Sequence, residues 1–190
     1  MAGMRVIGGR ARGRRLKMVP GETTRPIPDR VKEALFNILG GDIVGARFLD
    51  LFAGTGAVGI EALSRGAARG VFLDRAPTAV RTIRENLKST GMEAWAEVLQ
   101  ADAFAWLARA SGLQFEYVYV APPQYQELWS AAVTALDQAP HILVPDAWAI
   151  VQMHPKEFHE IELRGLTLQD ERRYGSTLLA FYSAAESEIP

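Results

Sequence analysis

The stretch "LDLFAGTGAVGIEAL", Leu49 to Leu63, constrains the fold of this chain more than any other. It reads as an apolar strand, a turn and the start of a helix. Gly54, Gly56 and Gly59 fall within the turn and helix start at the spacing G-x-G-x-x-G. Glycines at those places permit a tight turn and a close approach of backbone to a ligand. The next apolar run, "GVFLD", ends in Asp74. In folds of this kind the ligand lies outside the carboxyl ends of the strands, where such an acid is placed to accept both ribose hydroxyls of an adenosine. A turn that serves packing alone is the competing reading.

The rest of the chain continues the pattern. "RFLDLF", "GVFLD", "AWAEVLQ", "FEYVYVA" and "AWAIVQM" read as strands, and "AVGIEALSRG", "PTAVRTIRENLKSTG", "DAFAWLARASG" and "QELWSAAVTALDQA" as helices. An earlier helix, "PDRVKEALFNIL", places Val31, Leu35, Ile38 and Leu39 on one face, with Pro28 near its start and Gly40-Gly41 at its end. The tail, "EIELRGLTLQDERRYGSTLLAFYS", has no helical period and reads as closing antiparallel strands. Alternating strands and helices predict an α/β domain with a mostly parallel sheet. Continuous apolar runs such as "FLDLF" and "YVYVA" suit strands buried on both faces.

A chain of 190 residues is most simply one domain with a core of its own. No apolar run approaches the ~18 residues that span a membrane, and no apolar segment follows the N-terminal charges as a secretion signal would require. A cytoplasmic protein without membrane partners is expected. The absence of cysteine excludes disulfides, thiolate metal sites and a thiol nucleophile, and with the last of these any pyrimidine C5 methylation. His141, His154 and His159 lie late in the chain without the spacing of a metal site, so no metal is expected.

Two further acids bear on the ligand. Asp50 stands in the strand just before the glycines. A carboxylate there would repel the pyrophosphate of a dinucleotide, whereas it suits a cation such as the sulfonium and ammonium of S-adenosylmethionine. The alternative is a helix-capping or buried paired acid. Asp102, in "LQADAF", is placed to meet an adenine amino group, with Ala103 or Phe104 packing on the ring; an ordinary helix cap is the alternative.

These segments, together with "RVIGGRARGRRLKMVPGETTRPIPDRVKEALFNIL" and "RRYGSTLLAFY", resemble the RsmD-type 16S rRNA guanine-N2 methyltransferases over almost the whole chain. The resemblance implies a class I, Rossmann-like methyltransferase fold: a seven-stranded, mostly parallel sheet with an antiparallel last strand. An N-terminal arm over residues 1–27 would precede a transferase domain over 28–190. The donor would be S-adenosylmethionine, with S-adenosylhomocysteine as product. The substrate would be 16S rRNA or the partly assembled small subunit, met by a monomer. Cofactor positions would fall on Asp50, Phe52, Ala53, Gly54, Gly56, Asp74, Asp102, Ala103 and Phe104. Thr24, Arg25 and Pro26 would lie near the methionine end or the target base, Arg25 alternatively clamping its loop.

The family's strand-end signature is Asp or Asn, then Pro-Pro, then Tyr or Phe. Here it reads Ala121-Pro122-Pro123-Gln124-Tyr125, without the polar first residue and with the aromatic one place later. An exocyclic amine is a poor nucleophile because its lone pair is delocalised into the base. An acceptor for its N–H groups helps that lone pair point at the methyl group. Proline locks φ and carries no competing N–H, so Pro122 can fix a backbone carbonyl for this purpose. Gln124 is a candidate replacement for the missing acceptor. Tyr125 is a candidate stacking platform, worth about 1–3 kcal/mol per base, or else a cover for the sheet end. Trp129 reads as core, and Trp95, Trp106 and Trp148 as packing residues.

Residues 1–20 hold six cations and no acid, so the remainder carries −7 against an overall −1. Arg10, Arg12, Arg14, Arg15 and Lys17 suit a phosphate-rich partner; a solvated terminus is the alternative. Two further functions remain open at this level. One is methylation of another exocyclic amine in DNA or RNA. The other is a catalytically silent RNA-binding or assembly factor. A dehydrogenase is disfavoured by Asp50 and by the lack of a hydride-transfer set.

Overall fold

The computed structural model describes residues 4–21 and 26–185. Two compact units divide the chain, Met1–Asp102 and Ala103–Pro190. The strands belong to a seven-stranded mixed sheet.

The first unit contains α1 (Asp29–Leu39), β1 (Arg47–Asp50), α2 (Ala57–Ser64), β2 (Arg69–Asp74), α3 (Pro77–Thr90) and β3 (Ala96–Gln100). β1 pairs in parallel with β2, and β2 with β3. Local signals set the helix limits. Pro28 precedes α1, and Gly40, at φ 57°, ends it. Pro77 opens α3, and Gly91, at φ 72°, closes it. Val31, Leu35 and Leu39 are buried as the spacing predicts, whereas Ile38 is exposed. The inward stripe instead takes Lys32 and Phe36, which the helical period places beside those three.

The N-terminal arm is a short ladder. Val6 N–H donates to the Arg14 carbonyl, Gly13 N–H to Val6, and Leu16 N–H to Met4, each at 2.9 Å. It is fixed to the unit by polar contacts. Ile7 and Gly8 N–H groups donate to the two carboxylate oxygens of Glu61 at 2.8 Å, and Ala11 N–H donates to Ser64 Oγ at 2.9 Å. Glu61 also pairs with Arg65 at 2.8 Å and with fully buried Lys32 at 3.5 Å, while Lys32 Nζ donates to the Arg5 carbonyl at 2.6 Å. Gly9, at φ 74°, lies so close to α2 that a Cβ would stand 1.9 Å from the Ser64 carbonyl oxygen. Further along, Lys17 N–H donates to Asn86 Oδ1 at 2.7 Å, and Asn86 Nδ2 returns bonds to the Lys17 and Thr55 carbonyls.

The second unit contains α4 (Ala103–Leu107), β4 (Phe115–Val120), α5 (Leu128–Asp137), β5 (Leu143–Met153), β6 (Leu166–Tyr174) and β7 (Thr177–Ala184). β4 and β5 are parallel, and β7 runs antiparallel to both β5 and β6. β7 is buried along most of its length. The outermost strand β6 carries Asp170, Glu171, Arg172 and Arg173, charges that discourage further edge pairing. Among the described residues no helix is long and apolar enough to cross a membrane.

Candidate active site

In the first unit the residues singled out from the sequence converge where β1 and β2 end. Gly54 and Gly56 adopt left-handed backbone, with φ 54° and 77°. Ala53, buried between them and β1, donates its N–H to the Leu73 carbonyl at 2.8 Å and accepts from Gly56 N–H at 2.7 Å. The third glycine serves packing: a Cβ on Gly59 would stand 2.3 Å from the Phe72 ring, so α2 lies against β2 only without one.

Asp74 is half-buried and its carboxylate is shared between two loops. Gly54 N–H donates to Oδ2 and Ala76 N–H to Oδ1, both at 2.9 Å. Each oxygen keeps capacity for another donor, as a vicinal diol would offer. Asp50 is 2% exposed. Its Oδ2 accepts a long bond from Gly59 N–H at 3.4 Å, and its Oδ1 has no hydrogen-bond partner among the described residues. Burial pushes its carboxyl up to about 7, with the Asp74 charge adding to the rise and the Gly59 N–H opposing it. A buried carboxyl oxygen without a donor is costly, and a cationic ligand would supply the missing partner. The loop therefore suits a ligand with a positive centre and a pair of hydroxyls. Phe52 is half-buried, and Asp102 is exposed just beyond β3. Thr24 and Arg25 lie outside the described residues, while Pro26 is half-buried.

In the second unit, Ala103 is buried and Phe104 half-buried at the start of α4. The sequence Ala121 to Tyr125 leaves the end of β4. Ala121 is half-buried, Pro122 buried, and Pro123, Gln124 and Tyr125 exposed. Tyr125 is 68% exposed and has φ 61°; Glu127 has φ 54°. Two non-glycine residues in left-handed backbone within one turn need external support. Glu157, in the loop after β5, provides it. Its Oε1 accepts Tyr125 N–H at 2.6 Å, its Oε2 accepts His154 N–H at 3.2 Å, and its carbonyl accepts Trp129 Nε1–H at 3.2 Å. The Tyr125 ring lies 5.5 Å from the His154 ring. Trp129 is buried against Phe158 and His159.

Glu157, His154, Glu61 and Lys32 were missed by sequence reasoning. Nothing in "MHPKEFHE" signals a contact with a loop about thirty residues away. Glu61 was hidden inside a helix whose neighbours are apolar, although an acid in "GIEAL" is itself a signal of a buried partner. Trp95 departs from its expected packing role: it is 39% exposed, with the Arg10 guanidinium 4.6 Å from its ring centroid. Arg10, Arg12, Arg14, Arg15 and Lys17 are all exposed, and Lys17 pairs with Glu85 at 2.9 Å. Among the described residues no His, Asp and Glu cluster could hold a metal ion.

A family model described as conserved hypothetical protein 95 matches residues 4–183. The chain belongs to that family. This is the RsmD-type family that the motifs suggested. YlbH of Bacillus subtilis (strain 168) is 38% identical over 182 residues, covering 94% of this chain and 98% of its own. Ribosomal RNA small subunit methyltransferase D of Escherichia coli (strain K12) is 38% identical over 134 residues, covering 70% of this chain and 67% of its own. Among solved structures, yhhF from Escherichia coli superposes with a TM-score of 0.84 at 32% identity, covering 97% of this chain and 99% of its own. An RNA methyltransferase from Salinibacter ruber, solved with S-adenosyl-L-homocysteine, shares the fold at a TM-score of 0.66 and 19% identity, over 87% of this chain and 97% of its own.

Proposed function

We propose that this chain transfers a methyl group from S-adenosylmethionine to the exocyclic 2-amino group of a guanine in 16S rRNA. The observation that carries the reading is the buried Oδ1 of Asp50, without a hydrogen-bond partner among the described residues, beside a glycine loop in a member of a family that contains a small-subunit rRNA methyltransferase. Asp50 would face the cationic end of the cofactor and Asp74 its ribose hydroxyls. Gly54 and Gly56 would let backbone approach it, with Phe52, Ala53, Asp102, Ala103, Phe104, Thr24 and Arg25 completing its surroundings. When bound, S-adenosylmethionine supplies an electrophilic methyl group on a positively charged sulfur.

The chain's own contribution to the chemistry is alignment. The Pro122 carbonyl accepts an N–H of the target amine and turns its lone pair outward, and Tyr125 stacks on the flipped guanine. Gln124 supplies a second acceptor in place of the side chain that Ala121 lacks. Positioning of this kind can lower a barrier by ~7–11 kcal/mol, so catalysis survives the loss of one acceptor. Residues 1–27 act as the RNA-contacting arm and residues 28–190 as the transferase. The arm's ladder and its bonds to Glu61 and Asn86 support that role, because they hold Arg10, Arg12, Arg14, Arg15 and Lys17 outward on a fixed frame.

The test is methyl transfer from labelled S-adenosylmethionine to naked 16S rRNA and to unmethylated small-subunit particles, with the product mapped by mass spectrometry. N2-methylguanine is the expected product. Another methylated amine would redirect the reading, and cofactor binding without transfer would favour a silent RNA-binding factor.

A further inference from the structure

We propose that Trp95, Arg10 and the basic face of α3 form a second RNA site that stacks an unpaired base of the substrate and holds its flanking phosphates. The inference rests on the rRNA reading above and uses none of the residues assigned to methyl transfer or to cofactor binding.

Trp95 ends the turn Glu93–Trp95 ahead of β3 and is 39% exposed, although its indole is large enough to reward burial. The Arg10 guanidinium stands 4.6 Å from its ring centroid, within cation–π range. Arg10 is held there by its neighbours: Gly9 is wedged against α2, and Ala11 is bonded to Ser64 Oγ. A guanidinium laid on an indole still presents N–H groups at its edge. The pair can therefore meet a base and a phosphate together.

The surroundings extend this chemistry. A groove of about 430 Å³ along α3 is lined by Arg81, Arg84 and Lys88, with Glu85 and Glu93. Glu93 begins the turn that ends at Trp95, so the groove adjoins it. Glu85 is already paired with Lys17. Three cations therefore face Glu93 and the already paired Glu85. An adjacent groove of about 320 Å³ shares Arg81 and Glu85 and is bordered by Lys17 and Met18 of the arm. The two grooves carry cations, and Trp95 stands two residues along the chain from Glu93 of the lining. Phosphates answer the cations, and any unpaired base answers the ring.

The experiment is equilibrium binding of the full chain to transcribed 16S rRNA, in parallel with its methyl-transfer kinetics on the same RNA. Trp95→Ala should weaken RNA binding roughly tenfold and raise KM for RNA with kcat unchanged, while Trp95→Phe keeps most of the affinity. Arg84→Ala with Lys88→Ala should flatten the salt dependence by about 1.4 logarithmic units per decade of salt. Cofactor affinity should be unchanged in every variant, which also reports on folding; should Trp95→Ala fail to fold, the Arg84 and Lys88 pair decides. If the wild type methylates rRNA and these variants match it in RNA affinity, KM and salt slope, the second site is wrong and the proposed function stands. If only assembled particles distinguish Trp95→Ala from wild type, the surface contacts protein and the inference also fails. If the wild type neither binds nor methylates rRNA, both readings fall.

Discussion

The loop after β1 and the loop after β4 both carry candidate site residues beyond the end of a buried strand, but they are held in opposite ways. The β1 loop is shaped from within. Its glycines take left-handed backbone, and Asp74, at the end of the adjacent strand, ties Gly54 to the start of α3. The β4 loop is shaped from without. Tyr125 and Glu127 adopt left-handed backbone without being glycine, and Glu157, far along the chain, bonds the backbone that they distort. The first arrangement is built into residue types at fixed spacing, and the second depends on one side chain arriving from another loop. Substitutions should therefore act on cofactor binding and stability in the first unit, and on turnover in the second.

The largest effect should come from the polar cluster under the arm. Glu61→Ala leaves Lys32 buried without its carboxylate and removes the acceptor for Ile7 and Gly8 N–H. Loss of one partner from such a pair costs about 3–5 kcal/mol, whereas replacing the pair by apolar groups is often close to neutral. Denaturant unfolding should show that loss for Glu61→Ala. It should show part of it restored by Lys32→Met in the same chain, though the arm's N–H groups remain unbonded. A Glu61→Ala protein as stable as wild type would remove the basis for treating the arm as a rigid frame.

Asp50→Asn should separate ligand binding from stability. Cofactor affinity should fall roughly 10–100-fold, the range for a charge-assisted contact, as read by calorimetry. In the wild type, affinity should also fall as pH drops below about 7, because Asp50 then takes up the proton that a cationic ligand opposes. The stability effect has the reverse sense. The folded carboxyl sits at about 7, above its ordinary 3.8, so the folded state retains a proton that the unfolded chain releases. The contribution of this group to stability is full below about 3.8 and is lost as pH rises to about 7. Asn does not titrate, so the ligand-free variant should be more stable than wild type above pH 7, by roughly 2–4 kcal/mol. Melting curves across this pH range without cofactor would show it. Parallel curves for the two proteins would mean that Asp50 is already satisfied.

These two substitutions also mark what was legible in advance. The glycine loop and Asp74 could be read because their chemistry is local: spacing puts them at a strand end, and backbone geometry does the rest. Asp50 could be picked out by its place before the glycines, but its orphaned oxygen could not. Burial of that atom is set by packing of α2 on the sheet, which depends on Gly59 meeting Phe72. Ile38 and Trp95 went the other way, apolar by type yet exposed in the structure. Helical period alone does not say where a stripe ends, nor what a turn residue will face. Glu157 had no sequence signal, because its partners are backbone N–H groups in another loop, and backbone N–H groups have no spelling.

Glu157→Ala should act on the second loop without touching the first. It removes the acceptor for Tyr125 and His154 N–H and leaves the strained backbone unsupported. A displacement of about 1 Å at a reacting group can cost on the order of a hundredfold. A drop in kcat of roughly 10–100-fold is expected, with cofactor affinity within twofold of wild type and partial recovery in Glu157→Gln. Loss of cofactor affinity in step with kcat would mean that the two loops do not fail independently.

The smallest effect tests how the β4 loop manages without the usual polar residue at position 121. If the exposed amide of Gln124 replaces that acceptor, Gln124→Ala should lower kcat about fivefold, the equivalent of a single neutral hydrogen bond of about 1 kcal/mol. Ala121→Asp should raise kcat, since it places a charged acceptor on the half-buried position next to Pro122 instead of on an exposed side chain. The double variant decides between compensation and coincidence. If the two acceptors serve the same amine, Gln124→Ala should cost little in a chain that already carries Ala121→Asp, and the two effects should not add. If they add, Gln124 acts elsewhere, and alignment of the amine rests on the Pro122 carbonyl alone.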